Sequence, residues 1–141
     1  MENDIRLEVR SDPRLLGSIR NLVRGWVDSF DLGGEVADEV MLAIDEACSN
    51  VIRHAYQGHC EHTVELTLRS DESFLEFRVC DEGIPCPPEN VKRRPLRPPD
   101  PDDLTPGGLG VQLIYEVFDD VQFTHGAEGG NCVVMRLKRP T

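Results

Sequence analysis

The chain has 141 residues, enough to enclose a hydrophobic core as one domain (1–141), with 39% apolar and 29% charged residues. Its formal net charge of −11 opposes a phosphate backbone, which speaks against direct nucleic-acid binding and for a protein partner with a basic surface. Five cysteines without a CxxC pair give neither zinc-ligand spacing nor a secreted disulfide framework, and no signal peptide or membrane-spanning window is visible, so reduced thiols in a cytoplasmic protein are expected.

Ile5, Leu7 and Val9 alternate with polar residues, the pattern of a half-buried strand. Ser11-Asp12-Pro13 reads as a capped helix start. Behind it, Leu15, Ile19, Leu22, Val23, Trp26, Val27 and Phe30 make one apolar stripe at helical spacing. Gly33-Gly34 interrupts the chain. A second helix is expected from about Glu35 to Tyr56, packing through Val36, Val40, Ala43, Ala47 and Val51. Alternating apolar residues then predict strands over Thr63–Arg69 and Phe74–Cys80. From Ile84 to Pro106 the composition shifts: eight of the ten prolines fall there, with Lys92, Arg93, Arg94 and Arg97, and a mobile loop is expected. A short helix over Val111–Phe118 and strands near Val121–Thr124 and Cys132–Lys138, joined by the Gly126–Gly130 turn, complete the order β-α-α-β-β-loop-α-β-β. Such an order predicts an α+β two-layer sandwich, a mixed and mostly antiparallel sheet with helices on one face.

Three segments carry chemistry. On the second helix Glu46 and Asn50 stand one turn apart and share a face. A carboxylate can accept a proton, and an amide oxygen suits Mg²⁺. Asp81-Glu82-Gly83 follows a strand directly; the Asp81 carboxylate can accept from an exocyclic amine, and Gly83 lets a flat base approach the backbone. Gly107-Gly108-Leu109-Gly110 runs straight into a helix, where free N–H groups attract phosphate oxygens. It is neither a Walker loop nor a Rossmann fingerprint. Taken singly, each segment is matched by an ordinary alternative: a solvated helix face, a strand-ending turn, a linker. Their joint order favours a magnesium-nucleotide site.

In that order the chain resembles the Bergerat-fold ATPases. Glu46-Ala47-Cys48-Ser49-Asn50-Val51-Ile52-Arg53-His54-Ala55-Tyr56 is similar to the N-box of the anti-sigma factor serine/threonine kinases. Asp81-Glu82-Gly83-Ile84-Pro85 is similar to their G1 box, and Gly107 to Ile114, continuing to Phe118-Asp119-Asp120-Val121, to their G2 box. The resemblance spans about Ile5 to Lys138. It implies ATP and Mg²⁺ as cofactors, Glu46 as general base, Asn50 as metal ligand, Asp81 and Gly83 at the adenine, and Gly108, Leu109 and Gly110 at the phosphates. The proline-rich segment, about 84–106, becomes an ATP lid. Arg53, a further turn along the same face, is within reach of the phosphates but reads first as a surface arginine, and His54 reads as structural. Two departures stand out: the lid is unusually rich in proline, and Gly130-Asn131-Cys132-Val133 replaces the family's frequent Gly-Thr-x-Val.

The resemblance implies an anti-sigma factor that phosphorylates a serine on an anti-anti-sigma (STAS-type) antagonist, with a homodimer as a further option. The rival is a nucleotide-gated partner switch that holds ATP or ADP and transfers nothing. A stand-alone histidine kinase would need a phospho-accepting histidine on a dimerisation helix, and the first helix carries none.

Overall fold

The computed structural model describes residues 4–93, 108–125 and 129–140. The far part of the expected mobile loop, 94–106, lies outside them, as do Gly107 and residues 126–128 of the last turn.

Strand β1 (Ile5–Arg10) keeps Ile5, Leu7 and Val9 half-buried against the core. The Asp12 carboxylate then accepts the Arg14 N–H at 2.9 Å, capping a 3-10 turn over Pro13–Leu15 that leads into helix α1 (Leu16–Asp28). Helix α2 covers Gly34–Asn50 and buries Ala37, Val40, Met41, Ala43, Ile44, Ala47 and Cys48. The single helix expected to Tyr56 is divided: from Val51 to Ala55 the backbone is π-helical, with the Tyr56 N–H donating to the Val51 carbonyl at 3.0 Å. Strands β2 (Thr63–Ser70) and β3 (Phe74–Asp81) form a hairpin, and so do β4 (Asp120–His125) and β5 (Asn131–Lys138). Helix α3 (Gly108–Val117) starts three residues before the apolar pattern predicts. Its glycines are poor helix formers, so sequence propensity puts them outside it.

The strand order is β1-β2-β3-β5-β4, and all four pairings are antiparallel. Leu66, Leu68, Leu75, Phe77, Val79, Val133 and Met135 face the helices in one apolar cluster, giving the expected two-layer sandwich. Phe77 is fully buried at its centre, edge-on to Trp26 of α1 with ring centroids 5.4 Å apart. Phe77→Ala would cost about 3–5 kcal/mol, as deletion of a core aromatic does. The opposite face of the sheet is polar. There Glu76 is buried between Arg69, at 2.6 Å, and Arg136, at 3.0 Å.

The expectation of reduced thiols is corrected at one pair. Cys80 of β3 and Cys132 of β5 are register partners, 4.1 Å apart at Cα, and are joined as a disulfide. Their separation of 52 residues hides the pairing until the strand register is known. Cys48, Cys60 and Cys86 are free, and burial pushes the Cys48 thiol up to about 12. Among the described residues no helix is long and apolar enough to cross a membrane.

Candidate functional site

A cleft of about 320 Å³ lies between the end of α2, α3 and the ends of β3 and β5, where Asp81 and Asn131 face each other. Its walls are largely apolar, with Ala47, Val79, Val111, Ile114, Phe123 and Val133 among them. Asp81 and Asn131 stand at one end; Asn50 and Arg53 stand on α2 and its π-helical extension. An apolar slot with a few polar groups is what a flat aromatic ligand with a charged tail requires.

The helical period brings Glu46 and Asn50 together, and Arg53 joins them. One Arg53 Nη donates to Asn50 Oδ1 at 3.3 Å and lies 3.5 Å from Glu46 Oε2, while its Nε donates to the Ser49 carbonyl at 3.4 Å. A carboxylate oxygen and an amide oxygen thus converge on one positive group. That donor set is also suited to a hard divalent cation, with the guanidinium as its stand-in. The neighbouring Asp45 is turned away, paired at 2.6 Å with Arg20 of α1.

Gly110 links this end to α3. A Cβ on Gly110 would lie 2.9 Å from the carboxyl carbon of Glu46, so a side chain there would push the Glu46 carboxylate out of its position. Gly108 is the first residue of α3, and the Leu109 side chain lies outside what the structure describes. Gly110, in the first turn of α3, therefore sets that helix start beside Glu46, the location expected for phosphate contacts.

At the other end Asp81 closes β3 opposite Asn131 of β5. Asp81 Oδ1 accepts two hydrogen bonds, from the Gly83 N–H at 2.8 Å and from Asn131 Nδ2 at 3.0 Å. Burial pushes its carboxyl above the usual aspartate range, only partly offset by hydrogen bonds from the Gly83 N–H and from the Asn131 side chain and backbone. Gly83 has a reason to be glycine other than the approach of a base. A Cβ there would meet Ala55 of the π-helical turn, 2.6 Å from its carbonyl carbon and 2.8 Å from its Cβ. The Ala55 carbonyl in turn accepts the Ile84 N–H at 2.9 Å. Gly83 faces a shallower recess beside His59 and His62, not the main cleft. Tyr56 fastens the same junction, donating to the Thr63 carbonyl at 2.6 Å and accepting from the Glu82 N–H at 2.8 Å. Burial lowers the affinity of His54 for a proton, with Arg53 adding to it.

The described part of the expected lid, Ile84–Arg93, is held down. It contains a 3-10 turn over Pro88–Asn90, the Lys92 carbonyl accepts from Gln112 at 2.8 Å, and the Val91 carbonyl accepts from the Tyr115 hydroxyl at 2.5 Å.

The profile of the histidine kinase-like ATPase domain matches residues 9–137. The chain belongs to that family. Two histidine kinase-like ATPase relatives are named serine-protein kinase RsbW. That of Bacillus subtilis (strain 168) is 30% identical over 122 residues, covering 84% of this chain and 76% of its own length. That of Bacillus cereus (strain ATCC 10987 / NRS 248) is 30% identical over 126 residues, covering 86% and 77%. They bear out the resemblance to the anti-sigma serine kinases drawn from the three motifs. The RsbU and RsbW domains of Rv1364c from Mycobacterium tuberculosis superpose with a TM-score of 0.65 at 15% identity, over 97% of this chain and 34% of that one. The histidine kinase domain of the E. coli osmosensor EnvZ superposes with a TM-score of 0.53 at 14% identity, over 100% and 92%. At these identities the two structures speak to the fold alone.

Within this histidine kinase-like ATPase chain, two residues do more than the sequence indicates. Arg53, read there as a surface side chain, is exposed yet spans Glu46 and Asn50. Asn131, visible only as a departure from Gly-Thr-x-Val, contacts both Asp81 and the base of the lid. The signal for Asn131 is its register opposite Asp81, which no local pattern encodes.

Proposed function

We propose that this protein binds Mg-ATP in the cleft and transfers the γ-phosphoryl group to a serine or threonine hydroxyl of an anti-anti-sigma protein. In its other state it holds a sigma factor, and it works in the cytoplasm. One observation carries the proposal: a single cleft is lined by an accepting carboxylate, Asp81, at one end and by the Asn50 amide at the other, and Arg53 joins Asn50 to Glu46, against which Gly110 of the α3 start packs. The relatives' name, serine-protein kinase RsbW, supports a protein serine as the acceptor.

In this reading the adenine lies in the apolar slot with its amine toward Asp81. Asn50 holds the magnesium, which supplies charge neutralisation at the phosphates when bound. Glu46 takes the proton of the incoming hydroxyl as the new P–O bond forms and the bridging P–O bond breaks, leaving ADP. Gly110 keeps the Glu46 carboxylate within reach of the helix start.

A second reading, a nucleotide-gated binder that transfers nothing, draws on the pairing of Glu46 with Arg53, which occupies the carboxylate that transfer would direct at the incoming hydroxyl. Incubation with γ-labelled ATP and a STAS-type antagonist separates the two. Label on an antagonist serine supports the kinase; nucleotide-dependent complex formation without label supports the binder.

A further inference from the structure

The Asn131 carboxamide makes three hydrogen bonds to two different parts of the site. Its Nδ2 donates to Asp81 Oδ1 at 3.0 Å and to the Ile84 carbonyl at 2.9 Å. Its Oδ1 accepts the Cys86 N–H at 2.7 Å. Asp81 Oδ1 also takes the Gly83 N–H at 2.8 Å, so these two bonds fall on one carboxylate oxygen. The Asn131 backbone N–H also bonds the carboxylate, no other side chain among the described residues does, and Asp81 lines the cleft. A carboxylate fixed through one oxygen presents the other in a defined direction, which is what selective recognition of a donor requires.

We infer that Asn131 is a positioning residue for nucleobase selection: by holding Asp81 Oδ1 and tethering Ile84–Cys86 it leaves Asp81 Oδ2 to accept from an exocyclic amine, so that the base of the lid and the choice of base are set by one side chain. This rests on the adenine-cleft reading above. A threonine at this position would have one hydroxyl and could not make all three bonds. The family's usual residue therefore would not tether the lid in this way.

The test compares ADP with IDP, whose hypoxanthine carries a carbonyl where adenine carries the amine. Calorimetric affinities are measured for the unsubstituted protein, Asn131→Ala and Asn131→Asp, alongside hydrogen exchange of the Cys86 amide. Asn131→Asp is isosteric, loses both donors and keeps the acceptor for Cys86. Both variants are expected to lose roughly tenfold of the preference for ADP, the scale of one hydrogen bond to a charged group, while IDP affinity stays within about threefold. Cys86 exchange is expected to speed up in Asn131→Ala and to stay slow in Asn131→Asp. Equal weakening of ADP and IDP in both variants would mean a purely structural role and would overturn the inference, as would an unchanged ratio. An unsubstituted protein that does not prefer ADP would instead defeat the adenine-cleft reading itself, and this inference with it. Thermal melts of both variants show whether either has lost its fold; if one has, the other decides.

Discussion

The two ends of the cleft are built differently. At the Asp81 end every contact is short: 2.7–3.0 Å bonds connect Asp81, Gly83, Asn131, Ile84 and Cys86, and backbone atoms pack too closely for any side chain on Gly83. At the Glu46 end the contacts are long, 3.3–3.5 Å, and the Arg53 side chain is 57% exposed. A rigid end suits discrimination of a base, because an unsatisfied donor or acceptor is costly where nothing can move. A loose end suits phosphates and a metal, whose charges arrive with the ligand and must displace whatever holds their ligands beforehand. The contrast assigns selection to the ends of β3 and β5 and chemistry to the helix.

The sharpest way to break that division is at Glu46. If chemistry resides there, Glu46→Gln keeps shape and removes the base. Phosphorylation of the antagonist is expected to fall by roughly 10²–10⁴, with ATP affinity near that of the unsubstituted protein. Single-turnover transfer measured beside calorimetric binding checks both halves. Transfer at the normal rate in Glu46→Gln would leave the nucleotide-gated binder as the better reading.

At the rigid end, Asp81→Asn is expected to weaken ADP binding by about 1.5–3 kcal/mol, the scale of a charge-assisted bond in a closed pocket. The direction of its pKa adds a pH signature. Burial raises the Asp81 carboxyl in the folded state, so the folded state holds that proton more tightly than the unfolded chain. The ionised group therefore costs stability above its folded pKa, and the cost is relieved as pH falls through it. Nucleotide affinity, which needs the carboxylate, runs the other way: full above that pKa and lost below it. Calorimetric titrations from about pH 7 down to about pH 4 should show this loss in the unsubstituted protein and not in Asp81→Asn. A pH-independent affinity in the unsubstituted protein would separate Asp81 from the base.

Gly83→Ala tests rigidity by itself. Its Cβ would press on the backbone and Cβ of Ala55, which the close-packed turn cannot easily move. A loss of about 1–3 kcal/mol in denaturant stability is expected, as overpacking brings. A neutral effect would mean that this junction yields, and that the two ends differ less than their distances indicate.

Much of this molecule could be read from its residues. The alternation in β1, β2, β3 and β5 and the stripe on α1 gave element type and nearly their bounds, because one face of each is buried in a common core. Glu46 and Asn50 were legible because helical periodicity is local. Three features were not. The π-helical turn after Asn50 carries no distinctive composition, and its usefulness lies in presenting the Ala55 carbonyl to Ile84. The Cys80–Cys132 disulfide and the Asp81–Asn131 contact both depend on β3–β5 register, fixed by strands about fifty residues apart. Gly83 was legible as a glycine that matters, but for a different reason: the backbone it admits belongs to the protein itself.

The smallest expected effect lies at Arg53, and it bears most directly on the looseness of the phosphate end. An ion pair this exposed, at 3.5 Å, contributes little to stability, about 0–1 kcal/mol for such pairs generally and less as salt rises. Arg53→Ala should therefore move the unfolding midpoint by no more than a few degrees. Its effect on the site should be larger than its effect on the fold, because in the nucleotide-free protein the guanidinium sits between the two groups assigned to proton transfer and metal binding. Removing it leaves Glu46 and Asn50 without the charge that holds them, so magnesium should promote ADP binding at lower concentration if Arg53 competes with the metal. ADP should instead bind more weakly and depend more on magnesium if Arg53 moves onto the phosphates and shares the metal's work. ADP titrations at several magnesium concentrations, with and without the substitution, distinguish the two. A large loss of stability in Arg53→Ala would contradict the comparison itself, since it would make the helix end as tightly built as the strand end at Asp81.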